Sequence, residues 1–460
     1  MQGLTLVWWD LGRDTSCTPA PVTTTEGRAL YTPQRLFGEV GSSSDILTHE
    51  PFLERARLQR EQERDSSARL ALGAYIVARL LDRLLSFQTD EHSAEGFRWQ
   101  LESVRRHIDE LPPTEPETAH LAGIVDAIPA EGPPPSATLW KSLTAYAYFL
   151  ENEARFEESL EVLSLAVRAQ GVSLTPMDFV SYALLAGRLN RRLARWEPAT
   201  SCYQAALDGA SSIGDQQRAL RARLGHAHVD RALGNLPRAR AEVEKVLAEA
   251  VKAELVDVQS DAHLDLGVIL MLQGARTESL EATYNAFSLT DDPHNRMRIL
   301  GDLGYGLNES GYYDAARLAL EIVAKSSVIY LIKVNAILEL MQLESAVGNR
   351  VAFERRRQGA KQYSSRMTPS MLVDYHYKTA IGLARFGQVD RALERGQEAL
   401  RLAEHHQLNE WYFRVERMLD GLRRDSASAS EIEAPAEADA TPAVIQMETG
   451  LREYASLAAI

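Results

Sequence analysis

The chain has 460 residues, 45% of them hydrophobic, with a formal net charge of −14 and a pI near 5.4. That length accommodates several domains or one long array, and the charge argues against whole-surface binding to nucleic acid or an anionic membrane, both of which need a positive field. Cys17 and Cys202 lie far apart in sequence, which excludes a disulfide framework, argues against a Cys-based metal site and points to a reducing, cytoplasmic setting.

Residues 1–48 are irregular. Thr, Ser and Pro dominate Thr15 to Thr25, and Gly38 to Ser44 is a second breaker cluster, so a poorly ordered arm is expected, docked through Trp8 and Trp9 if at all. The first ten residues lack a positive n-region, and their apolar run is too short for a signal peptide. Residues 49–128 read as an N-terminal helical region. Leu70, Ile76, Val77, Leu80, Leu81, Leu84 and Leu85 recur at three- and four-residue spacings, on one helix face. Further helices are predicted over 95–111 and 117–128. The apolar stretch Ala71 to Ala78 is bracketed by Arg69 and Arg79 and cannot span a bilayer. A Pro-rich linker at 129–136, with Pro133, Pro134 and Pro135, is the clearest boundary.

From 137 to 408 the chain repeats. The positions Ala147, Gly187, Ala227, Gly267, Gly304, Met341 and Ala380 are spaced by 40, 40, 40, 37, 37 and 39 residues. Twelve residues after each come Ser159, Ala199, Ala239, Ser279, Ala316, Phe353 and Ala392, and seven later still Ala166, Ala206, Val246, Ala286, Val323, Ala360 and Ala399. Turn residues such as Gly234-Asn235, Gly274, Gly311, Gly348-Asn349 and Gly387 separate the first two registers. Each of the seven units is therefore a helix, a short turn and a second helix, and the small residues let the two backbones approach. The helix over 409–424 (Trp411, Tyr412, Val415, Met418, Leu419, Leu422) has the pattern of a capping helix. From 425 to 460 an acidic tail follows, expected to be disordered; between Asp425 and Leu451 it has six acidic residues and no Lys or Arg. Val444 to Ile460 has the makings of an amphipathic helix on contact.

These units resemble tetratricopeptide repeats, with small residues at first-helix position 8 and second-helix positions 20 and 27, as in Leu266-Gly267 with Ser279 and Ala286, or Leu303-Gly304 with Ala316. The period exceeds the family's 34 residues and the proline that ends each family unit is missing, a variant that resembles the sensor repeats of bacterial regulators. The resemblance implies an all-α fold, a right-handed α-solenoid of antiparallel helix pairs with an N-terminal helical segment. It also implies that first-helix positions 2, 5, 9 and 12 line a concave binding groove.

That register gives Lys141, Thr144, Tyr148 and Glu151, then Ser181, Leu184, Arg188 and Arg191, then Arg221, Leu224, His228 and Arg231. The next units give Asp261, Leu264, Val268 and Met271, then Arg298, Gly301, Tyr305 and Asn308, then Asn335, Leu338, Gln342 and Ser345, and last Asp374, Tyr377, Ile381 and Ala384. The candidate peptide-binding residues are Arg188, Arg191, Arg221, His228, Arg231, Arg298, Tyr305, Asn308, Asn335 and Gln342. Arginine forks hold carboxylates and asparagine amides hold a peptide backbone, so the expected partner is a protein or peptide, an acidic one suiting the arginines. The flexible acidic tail is expected to compete for Arg188, Arg191, Arg221 and Arg231 in a salt-sensitive way.

No catalytic constellation accompanies this surface, and the chain is expected not to be an enzyme. Gly304-Tyr305-Gly306 with Gly311 lacks the preceding strand and following lysine of a phosphate loop. His226 and His228 are two apart and face different ways; His405-His406 suits a helix end. No metal, cofactor, direct nucleic-acid or membrane contact is expected. The leading function is a peptide- or protein-binding scaffold, and the alternative a sensor or regulatory subunit of a bacterial signalling or transcription system.

Overall fold

The computed structural model describes residues 49–61, 63–85, 91–129, 136–170, 175–364, 366–406, 408–424 and 433–457. The N-terminal arm, most of the Pro-rich linker and residues 425–432 lie outside the described residues. All the regular elements among the described residues are α-helices, and they fall into two compact units, 49–233 and 234–457.

The first unit holds α1 (Glu50–Glu61), α2 (Asp65–Leu85), α3 (Glu91–Asp109), α4 (Pro116–Asp126), α5 (Ser136–Asn152), α6 (Phe156–Gln170), α7 (Pro176–Arg192), α8 (Trp196–Ser212) and α9 (Gln216–Ala232). The second holds α10 (Leu236–Lys252), α11 (Val256–Leu272), α12 (Arg276–Leu289), α13 (Pro293–Glu309), α14 (Tyr313–Ser326), α15 (Tyr330–Ala346), α16 (Arg350–Lys361), α17 (Pro369–Arg385), α18 (Val389–His405), α19 (Asn409–Arg424) and α20 (Pro442–Leu457). Within each unit successive helices pack as antiparallel pairs, α5 with α6, α7 with α8, α11 with α12, α13 with α14 and α17 with α18, in the manner of a tetratricopeptide-like α-solenoid. First helices also neighbour one another, α13 with α15 and α15 with α17, and α19 closes on α17 and α18.

Local chemistry sets the helix ends. Thr175, Asp292 and Thr368 each accept a backbone N–H from the first turn of a helix that begins with proline. The three-residue turns end each first helix with a residue in the left-handed region, Gly274 at φ 81° and Gly311 at φ 80°, closed by bonds such as Ala275 N to Leu270 O and Tyr312 N to Leu307 O.

The small-residue registers are the seams of the pairs. Ala147, Ala199, Ala206, Ala239, Ala286, Ala316, Ala380, Ala392 and Ala399 are fully buried. Ser159 Oγ donates to the Ala147 carbonyl and Ser279 Oγ to the Gly267 carbonyl, each at 2.7 Å, so two repeats tie their helices by one device. The sixth unit places Phe353 where its neighbours have a small residue. Phe353 is fully buried, and the space for its ring is provided by Gly382 on α17, where a Cβ would collide with the ring. Tyr203 of α8, in the second repeat, does the same, lying against Gly187 of α7 and Gly225 of α9.

Two ionic clusters organise the first unit, one buried and one reaching from a buried histidine to the surface. Glu117 on α4 accepts from Arg155 at 2.8 and 2.7 Å, from Arg55 at 3.3 and 3.0 Å and from the Tyr146 hydroxyl at 2.6 Å. Glu158 on α6 shares both arginines. Burial pushes the Glu117 carboxyl up, but the two guanidiniums outweigh it and hold it at about 2. The second cluster centres on His49, buried at the entry to α1, with Nε2 2.7 Å from Asp82 and Nδ1 2.7 Å from Glu161. Arg168 and Arg79 also reach Asp82. Burial opposes charge on His49, yet its bonds to Asp82 and then Glu161 prevail and its pKa is raised. A raised pKa stabilises the fold fully below the unfolded value, 6.5, and the contribution fades as pH rises through the folded value. The melting temperature of the native chain should therefore exceed that of His49→Gln by more at pH 6 than at pH 9. A gap independent of pH would show that His49 is not held as an imidazolium.

Candidate functional site

The first-helix faces gather the candidate residues in two separate sets, one in each unit. In the first unit Arg188 on α7 is already matched. Its Nε and Nη2 donate to Glu151 on α5 at 2.5 and 3.0 Å, and its guanidinium lies 6.0 Å from the Tyr148 ring. The groove positions of one repeat thus bind the groove position of the next. Arg191 is buried, with Nε 3.3 Å from the Tyr203 hydroxyl. Arg231 is buried, Arg221 and His228 are half-buried, and all three engage neighbouring groups.

In the second unit Arg298 on α13 forks onto Asn295 Oδ1 at 3.1 and 2.7 Å and lies 3.5 Å from Asp261 on α11. Tyr305, also on α13, is held as a neutral phenol, because burial first and then the charges of Glu309 and Glu339 raise its pKa well above the ordinary value. Beside it are amides that lack partners. Asn308, 4% exposed, has a buried Oδ1 with no hydrogen bond, and Asn335, 3% exposed, has a buried Nδ2 in the same condition. Gln342, two turns beyond Asn335 on α15, leaves its Oε1 buried and unpaired.

Charges that the register did not include complete this face. Position 6 of the first helices carries Asp265, Asp302, Glu339 and Lys378, all buried. Lys378 Nζ on α17 donates to Glu339 on α15 at 2.7 Å and to Asp374 one turn before it at 2.8 Å. Burial raises the Glu339 pKa against the pull of Lys378. Arg414 on α19 lies 4.8 Å from the Tyr377 ring and 5.2 Å from that of Trp411. Arg385, at the end of α17, donates through Nη1 to Ser345 Oγ at 2.8 Å and the Gln342 carbonyl at 3.4 Å. The face in this unit therefore balances acids against bases instead of presenting a basic surface.

Within the acidic tail, the stretch with the makings of an amphipathic helix on contact is helical: residues 442–457 form α20 on α14, because Val444, Met447 and Leu451 fall at three- and four-residue spacing and are buried there. The strap that leads into α20 is held at Gly311, Tyr313 and Arg385 through backbone groups. Its carboxylates take no part in those bonds.

No family model and no curated protein matches the chain. Among solved structures it is similar to a Rap protein complexed with competence and sporulation factor (10% identity, 78% of this chain and 98% of that one, TM-score 0.43). Others are NprR in complex with its cognate peptide NprX (11%, 77% and 96%, TM-score 0.46) and the apo form of RapI (10%, 62% and 97%, TM-score 0.40). All three TM-scores fall below 0.5. No helix among the described residues is long and apolar enough to cross a membrane.

Proposed function

We propose that the chain is a peptide-binding helical-repeat scaffold and that the 234–457 unit holds an extended peptide along its first-helix face. One observation carries this reading: Asn308 Oδ1, Asn335 Nδ2 and Gln342 Oε1 are buried on that face without hydrogen-bond partners. An unmet buried polar atom costs about 1–3 kcal/mol. Once these side chains turn towards the surface, the two oxygens can accept N–H groups of an extended peptide and the nitrogen can donate to one of its carbonyls. Tyr305, Arg298 and the Glu339–Lys378–Asp374 cluster would border the ligand and select its side chains. In the 49–233 unit a preference for acidic or carboxylate-bearing ligands would rest on Arg188, Arg191, Arg221, Arg231 and His228. A ligand carboxylate at Arg188 must exchange with Glu151.

Selection of a random dodecapeptide display library on the immobilised full chain tests this. The recovered consensus peptide should bind Asn308→Ala/Asn335→Ala at least about tenfold more weakly, since 1.4 kcal/mol is a factor of ten. The melting temperature of the free double variant should be unchanged or raised, because the substitutions remove unmet polar atoms. Equal affinity for both chains would reject the site. A large loss of stability would assign these amides a structural role.

A further inference from the structure

The C-terminal segment is seated on the repeats through three buried side chains, yet it belongs to none of them. Its strap crosses the turn between α13 and α14. The Ala438 N–H donates to the Gly311 carbonyl at 3.2 Å, and the Tyr313 hydroxyl donates to the Pro435 carbonyl. The Ala436 carbonyl lies directly over Gly311, where a Cβ would collide with it. Thr441 Oγ1 then accepts the Val444 N–H at 3.3 Å and starts α20. The seat of α20 is aromatic. Tyr454 meets Phe287 of α12 edge-on at 5.5 Å, and the Arg296 guanidinium lies 5.3 Å from the Tyr454 ring and 5.5 Å from the Phe287 ring. Gly450 lies against the Tyr284 hydroxyl, again where a side chain would collide.

One guanidinium joins this segment to the candidate peptide face. Arg385 holds the Gln342 carbonyl and Ser345 Oγ through Nη1, and the Glu433 carbonyl of the strap through Nη2 at 3.3 Å. Arg385 thus bonds the backbone of the residue whose side chain is a candidate peptide contact, and a backbone carbonyl of a peptide bound at Gln342 can take the bond now given to Glu433. We propose that residues 433–457 form an intrachain latch that competes with bound peptide, so that ligand binding and release of α20 are linked through Arg385. This rests on the peptide-binding reading above. The linkage is reciprocal: whatever frees the latch tightens the peptide, and the peptide loosens the latch. Because backbone carbonyls and apolar side chains hold the segment, the competition is insensitive to salt, unlike one driven by the tail's carboxylates.

Full-length Leu451→Asp, which places a charge in the buried seat, and full-length Tyr313→Phe, which removes one strap bond and no bulk, test the latch. Two readouts are needed: hydrogen exchange of residues 433–457, and affinity for the consensus peptide from the display selection. Leu451→Asp should lose protection over 442–457 and bind that peptide about tenfold more tightly, within the usual range of coupling between sites. Tyr313→Phe should shift both in the same direction by less. Adding the peptide to the native chain should speed exchange over 433–457, equally at low and high salt. A synthetic peptide of residues 433–457 should bind Leu451→Asp and not the native chain. Unchanged affinity in a variant whose α20 has lost protection would overturn the latch and leave the peptide site standing. Retained protection in Leu451→Asp would overturn the seat itself. Recovery of no peptide by any chain would reject the proposed function and the competition together, with the trans-binding arm still reporting on the seat.

Discussion

Arg155→Met should destabilise the 49–233 unit by about 3–5 kcal/mol, the usual cost of leaving a buried charge without its partner. Glu117 is 3% exposed and Glu158 6%, and Arg155 donates to both. Methionine retains most of the apolar stem but removes the guanidinium, and Arg55 alone then faces two carboxylates. The loss should depend on pH in a definite direction. In the native chain Glu117 is depressed from 4.5 to about 2, so its contribution is complete above 4.5 and disappears as pH falls towards 2. In the variant, protonation of Glu117 relieves the uncompensated charge. The stability gap should therefore be widest near neutral pH and close on acidification. Urea denaturation followed by far-UV circular dichroism at pH 7 and pH 4.5 measures it. Adding Glu117→Gln to Arg155→Met should recover part of the loss at pH 7. A gap of a few tenths of a kcal/mol at neutral pH would mean that the cluster is solvated.

Gly267→Leu comes second, at about 1–3 kcal/mol from overpacking. A Cβ at Gly267 would lie 3.1 Å from the Ser279 carbonyl and 3.3 Å from the Thr283 nitrogen, and would collide with Thr283 Oγ1. The hydroxyl can rotate away, but the backbone of α12 cannot. Helices α11 and α12 must separate, which also strains the bond from Ser279 to the Gly267 carbonyl. Gly359→Ala on α16 is the control, because nothing lies within 4 Å of its added Cβ. It should be neutral or slightly stabilising, as alanine is the better helix former. Equal effects of the two substitutions would mean that Gly267 is not at a helix–helix seam.

Much of the fold was legible because helix pairing depends on size at fixed intervals, and residue size is explicit in a sequence. Gly267, Ser279 and Ala286 mark one seam with no need of coordinates. The site was legible only in part. Positions 2, 5, 9 and 12 identified Asn308, Asn335 and Gln342, but not whether their amides find partners. They also identified Arg188 as a candidate without its occupant, Glu151, 37 residues away on another helix. Glu339 and Lys378 stand at first-helix position 6, outside the register of positions 2, 5, 9 and 12, and their importance comes from a contact across 39 residues. The tail was legible in part: its composition reads as disordered and the apolar spacing from Val444 onward allows a helix on contact, but the face that seats Val444, Met447 and Leu451 is not written in the tail itself.

The steric pairing of Tyr203 with Gly187 and Gly225, and of Phe353 with Gly382, bears on how such a chain can change over time. In an array of interchangeable repeats any unit can be duplicated, deleted or moved, because each interface is alike. Here an aromatic ring in one unit fits only where the adjoining first helix has a glycine. Shuffling units would set Phe353 against a first helix with no gap, or leave Gly382 facing a void. Around these two rings the order of neighbouring repeats is therefore set by interlocking shapes, and evolution there should proceed by substitution within repeats more readily than by gain or loss of whole ones.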